Sequence, residues 1–143
     1  MTSLAALLGA LMAILESHRL CEQVTVVETK AFSPDQFFFK VRAQLPTAYT
    51  FQVRIYYNRG HIDYAYQLFT DVPILRWDNK EEFRHLRTYP HHHHDDQGNI
   101  KPSPQGVRSE ISRLCSGSYP CSSRGKRKER EWFYWCQFVF LRG

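Results

Sequence analysis

The residues most able to do chemistry lie between positions 76 and 104 of this 143-residue chain. Four consecutive histidines, His91, His92, His93 and His94, stand there among arginines, aspartates and a tyrosine. Arg76, Asp78, Arg84, Arg87 and Tyr89 precede them, and Asp95, Asp96 and Lys101 follow. An unperturbed imidazole titrates near pH ~6.5, so histidine can take and give a proton at working pH. Arginine grips phosphate through paired N–H donors, and a tyrosine ring can stack on a base. Such a set would suit metal-free cleavage of RNA. That reaction needs a base for the 2′-hydroxyl, an acid for the leaving oxygen, and cations for the phosphorane charge. The catalytic candidates are His91, His92, His93 and His94. Arg76, Asp78, Arg84, Arg87, Tyr89 and Lys101 are the candidate substrate and phosphate contacts. The competing reading, which the residues alone favour, is a solvated His/Asp loop pinned to a sheet edge by Arg–Asp pairs.

Imidazole is also a good ligand for zinc, nickel and copper. Adjacent histidines on an extended chain diverge, however, with His91 and His93 facing one way and His92 and His94 the other. Asp78, Asp95 or Asp96 could complete a set, but no Cys-x-x-Cys or His-Glu-x-x-His spacing accompanies them. The sequence therefore assigns no metal ligand and no cofactor.

The elements that must position this segment come before it. Ser3 is an N-cap candidate, and Leu4, Leu7, Leu8, Leu11, Met12 and Leu15 recur at helical spacing. Residues 3–17 are expected to form an amphipathic helix lying on a sheet. The period then changes to two. Gln23–Lys30, Phe37–Leu45, Phe51–Tyr57, Ile62–Leu68 and Ile74–Trp77 read as strands, and Asn58-Arg59-Gly60 is hairpin chemistry. Short connections imply antiparallel neighbours with one face buried. The expected class is α+β: an N-terminal helix packed on an antiparallel β-meander of four to five strands, then a polar His-rich loop.

Arg76-Trp77-Asp78-Asn79, a short spacer, Pro90 with the four histidines, and Lys101-Pro102-Ser103-Pro104 together resemble the signature of the TumE-type toxins of bacterial toxin–antitoxin pairs. The resemblance covers roughly residues 1–104, and the order and spacing of the short motifs carry it. It implies a growth-inhibiting protein acting on RNA or translation. It also implies a partner antitoxin from an adjacent gene, expected to be a small helix-turn-helix protein, and RNA or the ribosome as target. The alternatives are a non-enzymatic His-rich module that sequesters a metal or partner, and an inactive degenerate copy.

Composition bounds these readings. Residues 1–107 hold 11 Lys/Arg and 11 Asp/Glu, while the remainder holds 8 against 3, so the net charge of +5 belongs to the tail. Overall charge thus gives no argument for nucleic-acid binding by the domain. Cys21 is alone in that domain, whereas Cys115, Cys121 and Cys136 lie in the tail, and a reducing compartment is the default. The apolar stretch Leu4 to Leu15 lacks a basic lead and is shorter than the ~20 residues of a membrane span. A cytoplasmic protein with no membrane association is expected.

The chain from residue 105 breaks from what precedes it. Similar proteins would continue into an acidic, Leu-rich helix, whereas Gln105–Gly143 is basic, Cys-bearing and aromatic. Joining the third base of each codon to the first two of the next makes Leu114–Cys115 and Pro120–Cys121 read Leu, Met or Val. Ser118–Tyr119 then reads Leu, Ile or Val. Residues 105–143 are accordingly read as a frame-shifted ending to a domain of residues 1–104.

Overall fold

The computed structural model describes residues 2–103. Helix α1 spans Leu4–Ser17, one residue inside the expected range, with the Ser3 hydroxyl accepting the Ala6 N–H at 3.2 Å. A side chain that satisfies one orphan donor of the first turn holds a helix start by about 1 kcal/mol. Leu7, Leu11 and Leu15 are buried along one stripe, and α1 lies against the first two strands of the sheet.

Those strands are β1 (Gln23–Ser33) and β2 (Gln36–Gln44), followed by β3 (Thr50–Asn58), β4 (His61–Phe69) and β5 (Pro73–Asp78). Each pairs antiparallel with the next, so chain order is also spatial order. Tight turns make this the cheapest route for the chain, because each new strand pairs with the one just made. At the β3–β4 hairpin Arg59 and Gly60 take φ of 48° and 90°, and Asn58 faces His61 across a two-residue turn. Positive φ at both central residues gives the twist that flanking strands need.

Alternation then sorts the two faces. Phe39 lies opposite Ile55 and Ile55 opposite Tyr64, while Val41, Val53, Tyr66 and Trp77 form the next row across the sheet. All seven belong to the buried core with the three helix leucines. The residues between them along the strands, including Lys40, Arg42, Arg54 and Arg76, point to the other face.

The α+β class and the meander agree with expectation, but the strand count does not. Among the described residues the sheet has seven strands, the last two being β6 (His92–His94) and β7 (Ile100–Pro102). The His-rich segment is therefore partly sheet rather than loop. Three-residue strands without apolar alternation carry no periodic signal; pairing with the β5 edge is what makes them extended. Among the described residues no helix is long and apolar enough to cross a membrane. The expectations for Gln105–Gly143 lie outside the described residues.

Candidate functional site

β5 ends at Asp78, and β6 pairs with it so that Arg76 faces His94, Trp77 faces His93 and Asp78 faces His92. Partners across a ladder share a face. Since Trp77 belongs to the core, His93 points to the core side, and Arg76, Asp78, His92 and His94 converge on the opposite face. The divergence expected of the histidine run is observed, and the sheet now says which pair meets which neighbours.

Asp78 and His92 are each 1% exposed. The Arg76 Nε donates to Asp78 Oδ2 at 2.8 Å, and the Lys80 backbone N–H donates to Oδ1 at 3.1 Å. His92 Nε2 lies 2.9 Å from Asp78 Oδ1, and His94 Nε2 lies 3.7 Å from Oδ2. The His92 contact is close, yet Nε2 makes no hydrogen bond. Phe83, from the turns after β5, sets its ring edge-on to His92 with centroids 4.6 Å apart.

On the core side, the Tyr64 hydroxyl and His91 Nδ1 share a hydrogen bond of 2.9 Å. Burial, then the Asp78 charge, pushes the Tyr64 phenol well above its ordinary range, while burial, then His92, lowers His91. Both effects keep the Tyr64 phenol protonated and favour a neutral His91. Burial lowers His93, with a hydrogen bond to the Pro102 backbone opposing, and burial lowers His94, with Asp78 opposing. Thr88 braces the approach to this strand: its hydroxyl donates to the His91 carbonyl at 2.7 Å and accepts the N–H of buried Ser103 at 2.9 Å.

Of the residues expected to contact substrate, only Arg76 and Asp78 join His92 and His94 in this cluster. Lys101 is paired with Asp95 at 2.9 Å at the β6–β7 turn, where Lys101 first and Asn99 next hold the Asp95 carboxyl well below the usual carboxylate range. Arg84 and Arg87 stand exposed on the turns of residues 81–90, and Tyr89 is half-buried there, joined to Pro90 by a cis peptide bond.

Beside the cluster, on the open face, lies a cleft of about 500 Å³. Phe38, Arg54, Tyr56, Asp63, Lys80 and the buried Asp78 are among the residues that line it. Across the same face Lys40 sits 5.9 Å from the Phe38 ring centroid and Arg42 sits 5.6 Å from that of Phe69. Cations and aromatic rings thus alternate over a sheet whose domain is neutral in sum.

A family model described as Toxin TumE matches residues 11–116. The chain belongs to the TumE toxin family. It is accordingly a toxin component of a toxin–antitoxin system. The match runs past Pro104, where the motif-based resemblance ends. No curated protein and no solved structure matches the chain.

For this TumE-family chain, sequence reasoning missed the cleft residues Phe38, Arg54, Tyr56 and Lys80, together with Asn79. The first three sit at the polar-face positions of strands that were read for their buried face. A signal was present: Phe38, Lys40 and Arg42 in one strand, and Arg54 and Tyr56 in the next, occupy alternate positions. Net charge concealed it, because acids such as Glu28, Asp63 and Glu81 stand beside these cations and balance them in the sum.

Proposed function

We propose that this toxin stops growth by engaging RNA on the open face of its sheet, with the Asp78 cluster at the place where the backbone is altered. The observation that carries this reading is the cleft, where the rings of Phe38 and Tyr56 stand beside the exposed cations Arg54 and Lys80 and next to Asp78. Bases stack on aromatic rings at about 1–3 kcal/mol each, and phosphates seek cations, so interleaved rings and cations on a sheet suit single-stranded RNA. In this reading His92 and His94 belong to the chemistry, whereas His91 and His93, turned to the core side, serve the fold. The antitoxin, proposed to be a small helix-turn-helix protein from the adjacent gene, would act by covering this face.

The test is induction of the full chain in a host without the antitoxin, with ultraviolet crosslinking to RNA. The double variant Arg54→Ala/Lys80→Ala changes exposed side chains and should leave the fold intact. Growth arrest should be relieved and RNA crosslinking should fall about tenfold, since each lost phosphate contact weakens binding at physiological salt. If the variant arrests growth like the parent while crosslinking to no RNA, the toxin acts on another target.

A further inference from the structure

The sequence gives no metal-ligand spacing, but the fold brings Asp78 against His92 and His94, which lie fourteen and sixteen residues further along the chain. We infer that Asp78, His92 and His94 form a binding site for a divalent transition-metal ion of the zinc class.

The argument begins with the His92 ring. Its Nδ1 lies 3.0 Å from the Pro90 carbonyl oxygen, and a carbonyl can only accept, so Nδ1 carries the proton. A neutral ring so fixed turns a bare lone pair at Nε2 inward. That atom is fully buried and has no hydrogen-bond partner, in a side chain 1% exposed. Its nearest polar neighbour is Asp78 Oδ1 at 2.9 Å, which is also an acceptor. Two acceptors at this distance, out of water, repel unless a cation lies between them. A second proton on Nε2 would be such a cation, but the contact with Oδ1 does not form a hydrogen bond. A metal ion needs no hydrogen-bond alignment, because it bonds two donors that lie at an angle to each other.

His94 supplies the third donor, its Nε2 3.7 Å from Asp78 Oδ2. The three ligand atoms lie within 4.8 Å of one another. Around a tetrahedral ion with bonds of about 2.0–2.1 Å, ligand atoms sit roughly 3.3 Å apart. The separations of 2.9 Å and 3.7 Å, measured to the two oxygens of the one carboxylate, fall on either side of that distance, and a turn of His94, whose side chain is 31% exposed, would bring both imidazoles to one oxygen. The surroundings are those of a ligated histidine and carboxylate. A backbone carbonyl fixes the His92 tautomer, and the Lys80 N–H and Arg76 guanidinium orient the Asp78 carboxylate. The Phe83 ring shields the imidazole from water. Two imidazoles and one carboxylate leave a fourth position for water or a phosphate oxygen, on the side where His94 meets solvent. Zinc suits this donor set, and manganese, iron or cobalt would enter it with other affinities.

The inference is independent of the RNA reading, because metal uptake is measured without RNA. The full chain, with cysteines blocked by alkylation and metal removed by a chelator, is titrated with zinc by calorimetry. One equivalent should bind. His94→Gln, at a partly exposed position that the fold tolerates, should weaken binding on the order of 100-fold, and Asp78→Asn should do likewise if it folds. His91→Gln and His93→Gln should bind as the parent does. Cobalt(II) in place of zinc should give the intense visible bands of a four-coordinate site, lost in His94→Gln. The proposal is overturned if the parent takes up no zinc. It is equally overturned if all four histidine positions matter alike, since that is the behaviour of an adventitious histidine run.

Discussion

Replacing Asn79 by alanine should cost the fold about 2–4 kcal/mol, far more than its place just past a strand end suggests. β5 leaves its ladder with β4 at Asp78, opposite Ala65, while β4 continues back through Tyr64 to His61. The backbone groups of Tyr64 and Ile62 therefore lack a β5 strand partner. The Asn79 side chain replaces it: Oδ1 accepts the Tyr64 N–H at 2.9 Å, and Nδ2 donates to the Ile62 carbonyl at 2.8 Å. One amide thus closes the ladder as the next residue of β5 would have done. The Tyr64 N–H is buried, so alanine would leave it unpaired at about 1–3 kcal/mol, and the Ile62 carbonyl, reachable by water, adds about 1 kcal/mol. Asn79→Asp should cost at least as much at neutral pH. Its second oxygen would face the Ile62 carbonyl, and its charge would sit beside buried Asp78. Urea unfolding of the full chain by far-ultraviolet circular dichroism measures both, with Lys80→Ala as the exposed control. An Asn79→Ala midpoint within about 0.5 kcal/mol of that control would refute the assignment of Asn79 as the ladder's closing group.

Three further outcomes are expected. Phe39→Ala, at a core position 0% exposed, should lose about 3–5 kcal/mol in the same assay, whereas Phe32→Ala, at a position 60% exposed, should lose under about 1 kcal/mol. Acid should weaken the fold through His18, whose Nδ1 accepts the Leu20 N–H at 3.3 Å and whose pKa burial, then Arg19, lowers to about 4. The folded value lies below the unfolded one, so this contribution is whole above pH ~6.5 and drains away as pH falls toward 4, on the order of 2 kcal/mol for a half-buried ring; His18→Gln should flatten that part of the urea-midpoint profile. Finally, the DNA across codons 106–123 should spell a Leu-rich amphipathic helix in the alternative frame, and stop codons or polar runs there would end that reading.

Legibility followed periodicity. Leu7, Leu11 and Leu15 at helical spacing, and Phe37, Phe39 and Val41 at alternate positions, each report a local twist of the backbone that repeats within a few residues. Asn58-Arg59-Gly60 likewise declares its hairpin through the backbone freedom that a two-residue turn demands. The last two strands were illegible for the converse reason, since His92–His94 and Ile100–Pro102 repeat nothing and become strands only by pairing at the β5 edge. The candidate site divides along the same line. Its donors and cations could be named from Arg76-Trp77-Asp78-Asn79 and the histidine run, but Arg54 and Tyr56 belong to it only through the register of β3.

What the sequence determined by itself is the one helix, a meander of four to five strands, the family signature and the opposed facing of odd and even histidines. Each is a property of neighbours in the chain, carried by side-chain order and backbone preference. Tertiary structure alone decided that Asp78 faces His92, that Arg76 faces His94, and that the neutral domain turns cations and rings to one side. Those facts depend on register between strands: a slip of one residue would send Asp78 to the core side and His93 to its neighbours' open face. Register is set by the packing of Trp77, Tyr66 and Val53 into one core, and no short stretch of sequence contains that packing.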